Sequence, residues 1–150
     1  AKSTRAREAY FIPFAEEIAK VAKMPLMVTG GFRTPSAMDE ALASGAADVI
    51  GIGRPLCVRP ELPNGLLAGT VLALPSYEKD LQMGPGPLGR KATNKTIRAL
   101  NGFGAMSFFY LNLFRLADGL DGQDRMALFP AFIKHQTGEA KGAKALKGRG

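Results

Sequence analysis

Apolar residues near the start of the chain recur at helical spacing. Residues 6–23 place apolar side chains three or four positions apart, with charged side chains between them, which predicts an amphipathic helix. The apolar stripe comprises Tyr10, Phe14, Ile18 and Val21. Pro13 is compatible with the first turn of such a helix, and Met24-Pro25 ends it. We therefore expect one face of this helix to pack on a core.

Two short apolar runs follow and predict β-strands. Residues 26–29 form the first run, which ends in Gly30-Gly31. Residues 47–52 form the second, which is apolar on both faces apart from Asp48. Unbroken apolar strands are typical of parallel sheets that are covered on both sides.

The segment between these strands predicts a helix over 36–44. Thr34 is a suitable N-cap, Pro35 fits the first helical position, and Gly45 suits the C-terminal end. Two strands joined by a helix form a βαβ unit, so the order α-β-α-β predicts an α/β fold.

The pattern changes after the second strand. Residues 55–92 are rich in proline, and a short helix is expected only between Leu62 and Leu74. A long helix is predicted over 94–118 and a last one over 123–135. The apolar stripe of the long helix comprises Leu100, Phe103, Met106 or Ser107, Tyr110 and Phe114. Gly102 and Gly104 are expected to allow close packing of this helix.

Composition narrows the class of protein. The chain has 150 residues, of which 46% are hydrophobic, enough for one globular domain with a core. Its single cysteine, Cys57, excludes an intrachain disulfide and a cysteine-rich metal site, which fits a cytoplasmic location. The sequence shows neither a signal peptide nor an apolar run long enough to span a membrane.

The net charge of +7 is concentrated near the C-terminus. Lysines and glycines crowd residues 136–150, which we expect to form a solvated, disordered tail after a domain over 1–135. The other cations alternate with acidic residues, so we expect neither nucleic acid nor a membrane surface as a partner.

Glycines stand where both predicted strands end. Ligands of parallel α/β folds bind at the carboxyl ends of strands, where Gly30, Gly31 and Gly53 leave backbone N–H groups uncovered. Arg54 adds a permanent charge that suits phosphate oxygens. The alternative is that these are ordinary turn glycines and that Arg54 pairs with a carboxylate. The coincidence of two such turns on adjacent strands favours a phosphate site.

Other candidate chemistry is weaker. Gly51 and Gly53 do not complete a dinucleotide fingerprint, since Leu56 replaces the third glycine. His135 is interpreted as a capping or surface residue and Cys57 as a packed small side chain. The sequence thus predicts no catalytic residue and no metal ligand.

Three segments together resemble the C-terminal part of the old yellow enzyme family, the NADH:flavin oxidoreductases. They are PLMVTGGFRT, GAADVIGIGRPL and ALNGFGAMSFFYLNLFRLADG. The family fold is a (β/α)8 TIM barrel that holds FMN. The resemblance implies that residues 26–29 and 48–52 are its strands 7 and 8, followed by C-terminal helices.

The resemblance also implies a cofactor site. Gly30 and Gly31 would donate backbone N–H groups to the FMN phosphate, with Gly53 and Arg54 opposite, whereas Phe32 and Arg33 are weaker candidate contacts. FMN would be reduced by NAD(P)H and would pass hydride to a small acceptor such as an activated alkene.

The family's substrate-binding histidine pair and proton-donating tyrosine have no counterpart here. The chain is therefore expected to be a fragment, a subunit that associates with the N-terminal barrel portion, or a remnant without flavin activity. Self-association into a homo-oligomer would also bury the open strand edges. The alternative function is a non-catalytic module for structure or oligomerisation.

Overall fold

The α-β-α-β order is present in the N-terminal part of the chain. The computed structural model describes residues 11–147, and its first elements are α1 (Ile12–Ala19), β1 (Met27–Thr29), α2 (Pro35–Ala43) and β2 (Val49–Gly51). They belong to the first of two compact units, which spans Ala1–Ser76. Each strand is shorter than the apolar run that predicted it, because only three residues of each make ladder pairs.

The two strands are parallel, as predicted for a βαβ unit. Met27 pairs with Val49, Val28 with Ile50 and Thr29 with Gly51. This two-stranded parallel sheet is compatible with part of an α/β fold. Its equivalence to strands 7 and 8 of a barrel stays a prediction.

The prediction that both faces of this sheet are covered is wrong. Successive strand residues point to opposite faces, and Val28 and Ile50 face the core of the first unit while Met27 and Val49 are 66% and 44% exposed. The buried core side chains are Phe32, Ala37, Met38, Ala41, Leu62 and Leu74. Within the described residues, this core, with Ile12 of α1 packed against it, covers one face of the sheet.

Helix α1 ends at Ala19, four residues before its predicted end at 23. The backbone N–H groups of Lys20 and Val21 both reach back to the carbonyl of Ile18, which closes the last turn early. Pro13 lies in the first turn, as expected. Residues 6–10 of the predicted helix, including Tyr10, lie outside the described residues.

The predicted apolar stripe of α1 is not its buried face. Phe14 is 66% exposed, Ile18 and Val21 are exposed as well, and the buried side chain of the helix is Ala15. A small alanine such as Ala15 allows the helix backbone to approach its neighbours closely. The larger side chains of Phe14 and Ile18 lie outside this contact and stay exposed.

Helix α2 begins and ends near the predicted positions. Thr34 occupies the N-cap position with extended backbone, although its side chain makes no capping hydrogen bond. Pro35 is the first helical residue, and Gly45 follows the last turn at φ +73°, a conformation that favours glycine. Beyond β2, a 3₁₀ turn spans Arg54–Cys57 and helix α3 spans Leu62–Leu67.

The second unit, Tyr77–Gly150, is built on two helices. Helix α4 spans Lys95–Ala117, as predicted, and Asn94 caps it by accepting hydrogen bonds from the N–H groups of Thr96 and Ile97. Helix α5 spans Leu128–Lys147 and packs on α4. The part of the proline-rich segment that belongs to this unit contains two short 3₁₀ turns, at Tyr77–Lys79 and Gly86–Leu88.

The buried face of α4 differs from the predicted stripe. The predicted aromatics Phe103, Tyr110 and Phe114 are exposed. The buried residues of α4 are Asn101, Gly104, Ser107, Phe108, Leu111 and Asn112. This buried face includes polar residues that make hydrogen bonds and a glycine that permits close packing. A pattern of hydrophobic residues alone does not identify such positions.

Only one of the two glycines of α4 serves close packing. A Cβ on Gly104 would lie 2.7 Å from Met83 Cε and 3.3 Å from Leu128 Cδ1, so α5 approaches α4 at this point. The corresponding position on Gly102 has no described atom within 4 Å, and the prediction for Gly102 is wrong.

Helix α5 begins five residues later than predicted and continues past the predicted end at 135. The start is delayed because Asn112 hydrogen-bonds both backbone groups of Gln123, and Arg115 Nε donates to the carbonyl of Asp121. Of these groups, the Gln123 carbonyl is the one that a helix beginning at 123 would need for its own hydrogen bonds. Residues 136–147 are helical and largely exposed, where a disordered tail was expected, since alanine and lysine are good helix formers. Residues 148–150 lie outside the described residues.

His135 is buried, which corrects its interpretation as a surface or capping residue. Its ring is 6% exposed, stacks on Tyr110 at a centroid distance of 5.1 Å, and places Nδ1 3.2 Å from Ser107 Oγ. It lies inside α5 rather than at a helix end, and it joins α5 to α4. Within residues 11–147, none of the helices has the length and apolar character needed to cross a membrane.

Candidate functional site

The register of the sheet brings the two glycine-containing turns together. Thr29 and Gly51 are paired and are the last residues of β1 and β2. Neighbouring strands lie about 4.8 Å apart, so Gly30-Gly31 and Gly53 leave the same edge of the sheet from adjacent positions. The two turns therefore lie side by side in the first unit, and their role as a binding site stays a prediction.

The first turn depends on glycine because of its backbone conformation. Gly30 has φ +109° and Gly31 has φ +81°. Residues with a Cβ rarely adopt such values, and two in succession are tolerated only by glycine. The result is a stretch of backbone without side chains directly after β1.

The second turn contains two glycines with different roles. A Cβ on Gly51 would lie 1.9 Å from Thr29 Oγ1, so Gly51 lets β2 pair closely with β1. At Gly53, none of the described atoms lies within 4 Å of the Cβ position, and the residue is exposed. The backbone of Gly53 is thus accessible to a ligand.

Arg54 is placed by the 3₁₀ turn that begins directly after Gly53. It is exposed and is the first residue of that turn. Its guanidinium carries a permanent charge and donors suited to two phosphate oxygens. The six residues predicted for the site include two arginines, of which Arg54 is exposed and Arg33 is half-buried.

Two predicted site residues have structural contacts. Phe32 is 3% exposed and belongs to the core of the first unit, so only its backbone is available to a ligand. Arg33 is half-buried; its Nε donates to Ser76 Oγ at 2.9 Å, and its carbonyl accepts from the N–H of Leu74 at 2.7 Å. Arg33 therefore holds residues 74–76 beside the first turn. No local pattern in the sequence indicates this partner, which is distant along the chain.

The environment of Cys57 disfavours the thiolate form. The side chain is half-buried in the 3₁₀ turn, and burial raises the pKa of its thiol, an effect that a hydrogen bond involving the backbone only partly opposes. Reactive cysteines have a lowered pKa. The interpretation of Cys57 as a packed small side chain agrees with this environment.

The acidic residues near the sheet are structural or solvated. Asp48 Oδ2 accepts a hydrogen bond from the N–H of Leu26 at 2.8 Å, which joins the beginnings of the two strands. The isolated Asp48 in an apolar run was the sequence signal for this contact. The acidic pairs Glu16-Glu17 on α1 and Asp39-Glu40 on α2 are exposed. Within the described part of the chain, no group of three or more potential metal-ligating side chains was found.

The arrangement suits a phosphate group. It offers backbone without side chains at Gly30, Gly31 and Gly53, together with the Arg54 guanidinium. An anion gains from such donors, and a Cβ at these positions would restrict its approach. No acidic residue is among the six predicted positions, so the charge of the residues at these turns is compatible with an anion.

Comparison with known proteins gives partial matches to flavin oxidoreductases and to a cinnamate reductase. The chain is 43% identical over 61 residues to the NADH-dependent flavin oxidoreductase iliE of Hypocrea jecorina, and 45% identical over 58 residues to the NADH-dependent flavin oxidoreductase iccE of Talaromyces variabilis. It is 33% identical over 58 residues to the cinnamate reductase of Clostridium sporogenes. The resemblance to NADH-dependent flavin oxidoreductases is confirmed over these residues.

The matches are partial. They cover 40%, 38% and 39% of this chain, which spans 15%, 14% and 9% of the lengths of the three relatives. No protein-family model matches the chain, and no solved structure gives a significant match.

Proposed function

We propose that this chain forms the phosphate-binding part of an FMN-dependent NAD(P)H oxidoreductase related to old yellow enzyme. The observation that carries the proposal is the pairing of Thr29 with Gly51, which sets two exposed glycine turns side by side. The names of the relatives, which include flavin oxidoreductases, a cinnamate reductase and an NADH oxidase, support the same class of enzyme.

Each residue has a distinct role in this proposal. The N–H groups of Gly30, Gly31 and Gly53 donate to phosphate oxygens, and Arg54 balances the negative charge. Arg33 positions the first turn through Ser76, and Phe32 anchors it in the core. Bound flavin supplies hydride transfer from NAD(P)H to a small acceptor, such as an activated alkene.

The proton donor and the substrate contacts are assigned to other parts of the enzyme. The side chains at the proposed site are the hydrocarbon ring of Phe32 and the guanidinium groups of Arg33 and Arg54, which offer no hydrogen-bond acceptor. The exposed sides of Met27 and Val49 offer an apolar sheet face on which an N-terminal barrel portion can pack. A groove of about 220 Å³ beside β1, lined in part by Phe14, Ile18 and Met27, supports this association.

The experiment compares FMN with riboflavin, which lacks the phosphate. The full chain is titrated with each flavin, and binding is followed by quenching of flavin fluorescence. The variant is Arg54→Gln, and the matched control is Arg125→Gln, which removes the same charge from an exposed position in the second unit. We expect Arg54→Gln to weaken FMN binding about tenfold, as for loss of one charge-assisted contact.

The control variant Arg125→Gln and the ligand riboflavin show whether any loss of affinity is specific to Arg54 and to the phosphate. Arg125→Gln should leave FMN affinity unchanged, and Arg54→Gln should leave the weaker riboflavin affinity unchanged. Equal effects of the two variants on FMN affinity would contradict phosphate binding at the proposed site. Equal affinities of the unmodified chain for FMN and riboflavin would contradict it as well.

A second candidate function is self-association. The side chains of Phe103, Tyr110 and Phe114 on α4 are 51%, 44% and 47% exposed, and exposed aromatic clusters are typical of interaction surfaces. Light scattering after gel filtration measures the mass of the chain, and Tyr110→Ser should shift a dimer towards monomer. A monomer across the accessible concentration range would exclude this function.

A further inference from the structure

The loop before α4 surrounds a basic cleft that is unrelated to the glycine turns. The cleft has a volume of about 650 Å³, within the range of roughly 300–1,000 Å³ that is usual for small-molecule sites. Its lining residues are Lys79, Gln82, Gly86, Gly89, Arg90 and Lys91. This set contains three cations and one amide, and no carboxylate is among the described lining residues. Such a lining selects for an anion.

Glycines shape the wall of the cleft. Gly86 has φ +54°, and none of the described atoms lies within 4 Å of the position that its Cβ would occupy. A Cβ on Gly89 would lie 2.9 Å from Gln82 Oε1 and 3.2 Å from the Gly86 carbonyl. Gly89 therefore permits the tight turn, while Gly86 presents accessible backbone to the cleft.

A buried side chain of α4 holds this loop in place. Asn101 is 4% exposed, and its Nδ2 donates to the carbonyl of Leu88 at 2.9 Å. Its Oδ1 accepts from the N–H of Met83 at 2.9 Å, so one side chain fixes the loop on both sides of Gly86. A site whose backbone is already ordered loses less entropy when a ligand binds.

Arg90 is oriented by the same loop. Its Nη1 donates to the backbone carbonyl of Glu78, which uses one of the five N–H donors of a guanidinium. Arg90 also lines a smaller cleft of about 220 Å³ that includes Glu78 and Arg98. The larger cleft thus combines one oriented guanidinium with the two ammonium groups of Lys79 and Lys91.

We propose that this cleft binds a diphosphate group. Three cations match the charge of a diphosphate better than that of a monophosphate, and Gln82 and the backbone at Gly86 add uncharged polar groups. The volume accommodates a ligand larger than an inorganic ion. This site belongs to the second unit, and the inference does not rest on the proposed flavin site.

The test measures binding of inorganic pyrophosphate to the full chain. Isothermal titration calorimetry gives the affinity, and amide spectra of ¹⁵N-labelled protein locate the ligand. We expect one pyrophosphate per chain, with the largest shifts at the amides of Gly86 and Arg90. The variant Lys79→Gln/Lys91→Gln should weaken binding about tenfold, since two cationic contacts are lost.

The control removes the same charge elsewhere in the second unit. Lys144→Gln/Lys147→Gln on α5 should leave the affinity for pyrophosphate within twofold of the unmodified chain. Absence of binding, equal losses in both double variants, or shifts spread over α5 instead of the loop would overturn the proposal.

Two further ligands identify the source of the diphosphate. ADP carries a terminal diphosphate and NADH an internal one, and both should displace pyrophosphate if the cleft recognises the diphosphate alone. Displacement by NADH and not by ADP would assign the cleft to a nicotinamide dinucleotide. Failure of both to displace pyrophosphate would contradict a diphosphate site.

Discussion

Replacement of Gly51 by alanine tests the pairing of strands on which the proposed site depends. The new Cβ would lie 1.9 Å from Thr29 Oγ1 and 2.8 Å from Thr29 Cβ. Non-bonded carbon atoms prefer a separation of about 3.5–4.0 Å. Rotation of the threonine side chain moves Oγ1 but leaves Cβ in place, so the backbones of β1 and β2 must separate.

The expected cost follows from this geometry. Overpacking in a well-packed region typically costs about 1–3 kcal/mol, and a contact with an atom next to the backbone belongs in the upper part of that range. Urea denaturation followed by circular dichroism measures the free energy of unfolding. We expect Gly51→Ala to lower it by about 2 kcal/mol.

A second substitution makes the argument specific to the strand pair. Thr29→Gly removes every side-chain atom of Thr29 that lies close to the new Cβ, so Thr29→Gly/Gly51→Ala should recover most of the stability lost in Gly51→Ala. The double-mutant cycle should give a coupling energy of about 1–2 kcal/mol. Additive effects of the two substitutions, or a neutral Gly51→Ala variant, would refute the register of the sheet.

The remaining predictions concern packing and reactivity. Gly102→Ala should stabilise the chain by about 0.5–1 kcal/mol, because alanine is the better helix former and no described atom opposes its Cβ; a similar gain for Gly104→Ala in urea titrations would contradict the close approach of α5. Asn112→Ala should lower the free energy of unfolding by about 2–3 kcal/mol, since both backbone groups of Gln123 lose their partner, and a change below about 0.5 kcal/mol would show that these bonds contribute little. Burial raises the pKa of the Cys57 thiol, so alkylation by iodoacetamide near neutral pH should be slower than that of an unstructured cysteine peptide, with the rate rising at higher pH; a faster reaction would indicate an activated thiol.

Local signals predicted the elements whose ends are determined by nearby residues. Pro35 and Gly45 bracket α2, and Asn94 begins α4, because caps act within a few residues along the chain. The glycines after each strand likewise identified the sheet edge. Parallel pairing then followed from the βαβ order, since short apolar strands joined by a helix pair in this way.

Other features depend on contacts that are distant in sequence. The late start of α5 results from hydrogen bonds that Asn112 makes to Gln123, and the burial of His135 results from the packing of α5 on α4. Arg33 was predicted as a weak ligand contact, but its partner Ser76 lies 43 residues away. Hydrophobic periodicity also failed on α4, where the buried face includes Asn101, Ser107 and Asn112. Buried polar groups of this kind are recognised only when their partners are known.

The most direct test of the proposed flavin site is the difference in affinity of the full chain for FMN and riboflavin. The two ligands differ only in the phosphate, which we assign to the turns at Gly30-Gly31 and Gly53-Arg54. We expect FMN to bind at least about tenfold more tightly, equivalent to about 1.4 kcal/mol, with the difference reduced about tenfold in Arg54→Gln. Equal affinities for FMN and riboflavin in the unmodified chain would contradict the assignment.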